Sequence, residues 1–150
     1  MTALIEPSWP EPEMRVLSHL RELDEAIKDW ERYQRFSLED LKTDRDTRNM
    51  VLHAMLVSIQ AAIDISSHLI SKNQLKRPAT YREVFYLLGQ AGMIPEELAI
   101  ELSDLAGFRN VLVHIYWDIN LDEIYSILQN DLKTLRSFRD EIKEVLRNDG

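Results

Sequence analysis

Cysteine is absent from the 150 residues. Disulfides, thiolate metal sites and cysteine nucleophiles are therefore excluded together. Glycine and proline are scarce, at four and five residues, and three of the prolines (Pro7, Pro10, Pro12) crowd the N-terminus. The rest of the chain is left open to long helices. No basic start leads into an apolar run, so no secretory leader is read, and no apolar stretch approaches the ~20 residues of a membrane span. Alternating strand patterns, repeats and low-complexity tracts are also missing. The expected compartment is the cytoplasm, with no membrane partner.

Hydrophobic residues make up 45% of the chain, enough for one domain with a core of its own. Net charge is −8. An acidic body repels nucleic acid in bulk, so any RNA site must be a local cationic cleft, and composition alone favours a protein-binding or small-molecule-binding role.

The pattern predicts a Pro-rich N-terminal arm over 1–12 and a helical-bundle domain over 13–148. Met14, Leu17, Leu20, Leu23, Ile27 and Trp30 recur at spacings of three and four, giving a first helix to about Tyr33. Ser37 with Asp40 reads as a cap opening one long helix over 38–72, whose charged start from Lys42 to Asn49 projects from the core or packs on another subunit. Thr80 with Glu83 is a capping-box pattern for a short helix stopped at Gly92. Pro95, at a first helical position, opens the fourth helix, and Asn120 caps a last one ending near Asn148. The expected architecture is all-α: an antiparallel bundle of four main helices plus a short one.

Chemistry concentrates in Gly107-Phe-Arg-Asn-Val-Leu-Val-His-Ile-Tyr116. At about 100° per residue from Arg109, Asn110 falls near 100°, His114 near 140° and Tyr116 near −20°. Phe108, Val111, Leu112 and Ile115 fill an apolar arc at roughly 200–300°. Arg109 and His114 are too far apart to converge on an ideal helix. The long arginine can sweep round, the helix can distort near His114, or a second subunit can supply a group. Histidine exchanges protons near neutrality, and arginine is a permanent cation whose fork matches phosphate oxygens. Together they suit metal-free RNA cleavage by the RNA's own 2′-hydroxyl, with Asn110 fixing the imidazole or the phosphate. Spacing alone does not establish this, because an Arg and a His on one helix are more commonly a solvated or hydrogen-bonded surface pair.

The run Arg109-Asn-Val-Leu-Val-His114-Ile-Tyr116 resembles the Arg-X4-His-X-Tyr signature of HepT-like toxins in the HEPN superfamily. Gln60-Ala-Ala-Ile-Asp-Ile65, Tyr81-Arg-Glu-Val-Phe85, Leu87-Leu-Gly-Gln-Ala-Gly92 and Leu105-Ala-Gly-Phe-Arg-Asn110 are similar to the family's other segments. Residues 50–140 match in order and spacing, and the N-terminal third is generic. The resemblance implies a HEPN-type homodimer whose Arg109 and His114 line a cleft between subunits. It implies a metal-independent ribonuclease toxin acting on tRNA or mRNA, with no cofactor for cleavage. It also implies a nucleotidyltransferase antitoxin that uses ATP and Mg²⁺ to attach AMP to Tyr116, placing negative charge and bulk where an RNA phosphate would sit. A non-catalytic helical partner of such a nucleotidyltransferase is the alternative.

Other residues carry weaker signals. Asp64 can pair with Arg109 or orient His114, or stand in an ordinary structural pair. His19, His53 and His68 lack ligand spacing, and no metal site is expected. Lys72, Lys76, Arg77 and Arg82 form a basic cluster that extends an RNA or antitoxin surface or is simply a solvated loop.

Overall fold

The computed structural model describes residues 12–114 and 119–149, with side chains over 14–112 and 119–148. The N-terminal arm up to residue 11 lies outside the described residues. Seven α-helices occur among them: α1 (Pro12–Tyr33), α2 (Leu38–Thr43), α3 (Arg45–Lys72), α4 (Tyr81–Gln90), α5 (Glu96–His114), α6 (Leu121–Asn130) and α7 (Leu132–Asp149). No strand is present among the described residues.

The bundle is built around α3. It packs along α1 and receives the α4–α5 hairpin on another side, while α7 closes against α1, α3 and α5. Buried residues on α3 extend well beyond a single stripe, from Val51, Ala54 and Met55 through Ser58, Ala61 and Ile65 to Leu69. The same helix overturns the expectation that no stretch of the chain approaches a membrane span. α3 is long and apolar enough to cross a bilayer, with mean hydropathy 1.5 over its richest window, yet 61% of that window is buried within the bundle. A helix apolar nearly all round is what a central position demands. Around it, Trp30, Phe85 and Phe138 are fully buried, and the two phenylalanine rings meet edge-to-face at 5.9 Å between centroids. The Trp30 indole donates to the Leu128 carbonyl at 2.8 Å, tying α1 to α6 inside the core.

Two expected helices are divided. The 38–72 segment breaks at Asp44, whose backbone is extended (φ −111°, ψ 106°) and whose carboxylate accepts from the backbone N–H groups of Asp46 and Thr47. Those bonds, led by Thr47, hold the Asp44 carboxyl below its ordinary range. Aspartate bonds its own following backbone more readily than it continues a helix. Arg48 then donates to the Leu41 carbonyl at 3.1 Å, and Leu41 is fully buried. That bond ties the start of α3 to α2, while Lys42 to Asp46 stay exposed and Thr47 is buried. The last helix breaks at Asp131, after Asn130 turns its amide back to the Ser126 carbonyl. Burial, and then the charges of Glu101 and Asp104, push the Asp131 carboxyl above its ordinary range despite nearby Lys133.

Other caps follow the sequence closely. Ser37 and Asp40 form a reciprocal capping box, and Asn120 accepts from Asp122 and Glu123. At Thr80 half of the expected box forms: its hydroxyl accepts from the Glu83 N–H, while the Glu83 carboxylate lies 3.8 Å from the Lys76 ammonium. Pro95 sits just ahead of the first helical residue, Glu96, and its carbonyl accepts from the Ala99 N–H. Gly92 (φ 76°) ends α4 in a left-handed turn, with Met93 N–H reaching the Leu88 carbonyl.

The same closure ends α3, but Gln74 occupies the left-handed position (φ 55°), with Leu75 N–H on the Ile70 carbonyl at 3.0 Å. A side chain there costs on the order of 1 kcal/mol relative to glycine. Gln74→Gly is expected to raise Tm by about 2–4 °C in a thermal melt.

Candidate functional site

Arg109 emerges from the packed side of α5. Taking it as zero on a helical wheel, Leu102, Leu105 and Leu112 fall at about 20°, −40° and −60°, and all three are buried. The outer strip holds Ile100, Asp104 and Val111 at roughly 180–220°, and Val111 is 38% exposed. Val111 belongs to the arc expected to be buried and is exposed, whereas Arg109, expected on the open arc, lies among buried leucines. Because α5 is clasped between α3 and α4, its buried arc is wide and passes through Arg109 itself.

A half-buried guanidinium needs partners, and three surround it. Arg109 Nε donates to Gln60 Oε1 on α3 at 2.9 Å. Arg109 Nη1 donates to Asn110 Oδ1 at 3.4 Å. The Tyr81 ring at the start of α4 lies under the guanidinium, 4.8 Å from its centroid, within the range of a cation–π contact. Gln60 in turn donates through Nε2 to Asp64 Oδ1 at 3.0 Å. Asp64 therefore reaches Arg109 through an amide rather than by the direct ion pair weighed from sequence. Gln60 and Tyr81 were not singled out as site residues there. The i,i+4 placement of Gln60 and Asp64 was a usable signal, since such a pair shares a helix face.

The α4–α5 hairpin that carries Tyr81 and Arg109 is pinned at several points. The Ser103 hydroxyl donates to the Arg82 carbonyl at 2.9 Å, and Arg82 Nη1 lies 3.6 Å from Asp104 Oδ1. The Arg82 guanidinium lies over Gly107, in the space a side chain at that position would need. At the hairpin's other end a Cβ on Gly89 would stand 2.8 Å from the Ala99 Cβ, so glycine permits the close crossing.

Beside Arg109 a groove of about 480 Å³ is lined by Ser67, Pro78, Ala79, Thr80, Tyr81, Val84 and Asn110. Another cavity, of about 340 Å³, lies along α3 and the end of α5 among Asn49, Leu52, His53, Leu56 and Leu112. The backbone of His114 is the last helical position of α5. Its side chain, and the whole of Tyr116, lie outside the described residues. The structure thus brings together Arg109, Asn110 and, through Gln60, Asp64.

A family model described as ribonuclease HepT-like matches residues 23–142. The chain belongs to the HepT-like family. This HepT-like chain is 33% identical over 102 residues to an mRNA nuclease HepT of Shewanella oneidensis, covering 68% of this chain and 77% of that protein. It is 28% identical over 132 residues to a tRNA nuclease HepT of Aphanizomenon flos-aquae, covering 88% of this chain and 83% of that protein. Its fold superposes, with a TM-score of 0.78 and 28% identity, on a tri-AMPylated HEPN toxin of Shewanella oneidensis solved in complex with MNT antitoxin, covering 86% of this chain and 96% of that one.

The Gln60 link is open to test. Gln60→Leu leaves the Arg109 Nε–H without its acceptor and is expected to cost about 1–3 kcal/mol in denaturant unfolding. Asp64→Asn keeps an acceptor for the Gln60 amide and is expected to cost less than ~1 kcal/mol.

Proposed function

We propose that this HepT-like chain is the toxin of a HEPN/nucleotidyltransferase toxin–antitoxin pair, an endoribonuclease that cleaves RNA without a metal cofactor. The observation that carries the reading is Arg109. It is a permanent cation fixed by Gln60, Asn110 and Tyr81 at the edge of a groove, on a chain whose relatives are named as nucleases. The two hydrogen bonds immobilise the guanidinium and leave the remainder of its donor fork for phosphate oxygens.

In the proposed reaction His114 accepts the proton of a ribose 2′-hydroxyl as that oxygen attacks the adjacent phosphorus. Arg109 stabilises the charge that builds on the phosphoryl oxygens. The bond from phosphorus to the 5′-oxygen breaks, and the leaving oxygen takes up a proton. The products are a 2′,3′-cyclic phosphate and a 5′-hydroxyl. Homodimerisation sets Arg109 and His114 of both subunits along one cleft, which meets the wide angular separation of the two residues on a single helix. Asn110 supports Arg109, and Asp64 acts at one remove through Gln60.

Purified protein is expected to cleave tRNA or mRNA in EDTA. Arg109→Ala and His114→Ala each reduce the rate by at least about 10²-fold and relieve growth arrest on expression. Undiminished toxicity in both variants overturns the assignment. RNA left intact by the wild type, together with tight binding to the nucleotidyltransferase, would instead support a non-catalytic partner.

Silencing is proposed to occur at Tyr116, to which the nucleotidyltransferase transfers AMP from ATP with Mg²⁺, releasing pyrophosphate as the phenolic oxygen bonds the α-phosphorus. Intact mass is expected to rise by about 329 Da per AMP unit, with Tyr116→Phe resistant. Equal labelling of wild type and Tyr116→Phe would exclude this residue.

A further inference from the structure

The groove beside Arg109 has a composition that phosphate binding alone does not require. Pro78, Ala79 and Val84 give it apolar walls, Ser67, Thr80 and Asn110 place polar groups along it, and the Tyr81 ring borders it. One face of that ring carries the Arg109 guanidinium, and the residue is still 38% exposed. A nucleobase has the matching chemistry, with flat apolar faces and a hydrogen-bonding edge. The volume of about 480 Å³ falls within the roughly 300–1,000 Å³ of sites that hold small organic groups.

The surrounding charge points the same way. The segment leading into the groove carries Lys76 and Arg77, both exposed, immediately before Pro78. Lys76 lies 3.8 Å from the Glu83 carboxylate, so on a chain of net charge −8 it is Arg77, with Arg109, that gives a polyanionic strand a locally cationic approach.

We infer that the groove is a base-binding subsite. An unpaired nucleobase of the RNA strand stacks on Tyr81, next to the phosphate held by Arg109, and presents its polar edge to Asn110 and Ser67. This rests on the nuclease reading of the same site. A base must leave its helix to enter, so the subsite selects unpaired over duplex RNA. Tyr81 then has two functions: one face steadies the guanidinium and the other registers the strand, placing a chosen phosphodiester over Arg109.

The test uses the full-length His114→Ala chain, so that RNA is bound without being consumed. Its probes are fluorescein-labelled single-stranded oligoribonucleotides, each lacking one base at a successive position. Anisotropy titration is expected to find a position whose base removal weakens binding by about 5- to 150-fold, the range for one stacked base. That sensitivity persists in Tyr81→Phe, which keeps the ring, and disappears in Tyr81→Ala. Comparing intact and abasic strands within each variant separates stacking from any general loosening of Arg109. If every abasic strand binds like the intact one, or the sensitive position survives in Tyr81→Ala, the subsite is overturned while cleavage by the wild type in EDTA keeps the nuclease reading. If no strand binds and the wild type does not cleave, both fall.

Discussion

A cation that cannot be discharged sits on the packed arc of α5, and much of the local structure answers to it. Arginine stays protonated at any physiological pH, so α5 can dock against α3 only if that docking supplies Arg109 with acceptors and a ring face. Gln60 gives the acceptor, Asp64 orients Gln60, and Tyr81 gives the face. Gln60 and Asp64 come from α3, so this acceptor reaches Arg109 only when the hairpin is seated, whereas Tyr81 and Asn110 lie within the hairpin. A residue with an obvious chemical use is thereby also one on which the local packing depends.

The helical character of the fold was legible in the sequence because its signals are local. Three-and-four spacing gives the helices, and Ser37, Thr80, Gly92 and Asn120 give several of their ends. The break at Asp131 is hidden because Leu128, Leu132 and Leu135 keep helical spacing across it, and the break at Asp44 because it falls in a charged run, Lys42 to Asn49, with no apolar residue to mark a change of phase. At Asp44 the carboxylate turns on its own following backbone, a local event that leaves no mark in the apolar pattern. The arc of α5 differs at Val111 for another reason: α3 and α4 together cover the side centred near Arg109, and a wheel read from residue polarity alone turns the buried face toward Val111 instead. At the site, Arg109 and Asn110 could be read from the signature. Gln60 and Tyr81 could not be assigned with the same force, since they are 49 and 28 positions away in the chain and meet Arg109 only through folding.

Charge is distributed unevenly over the molecule. Where the α6–α7 junction meets α5, Asp131 stands near Glu101 and Asp104, with its carboxyl held above the ordinary range first by burial and then by those neighbours. The end of α3 and the loop that follows it are basic over Lys72, Lys76 and Arg77. Net charge describes neither region. An acidic protein can offer a polyanion a favourable approach where cations are gathered on one connection and outnumber the anions beside them, as Lys72, Lys76 and Arg77 outnumber Glu83.

The glycine at position 89 has a reach beyond its own contact. It lets α4 lie almost on the Cβ of Ala99, and so sets how closely the two helices of the hairpin cross. Tyr81 is eight residues away along α4, about 12 Å at the rise of an α-helix. A spacing set at one end of such a lever is delivered at the other. The gap between ring and guanidinium is thus governed in part by a residue that touches neither, and thickening the crossing would retune the site without altering any group within it.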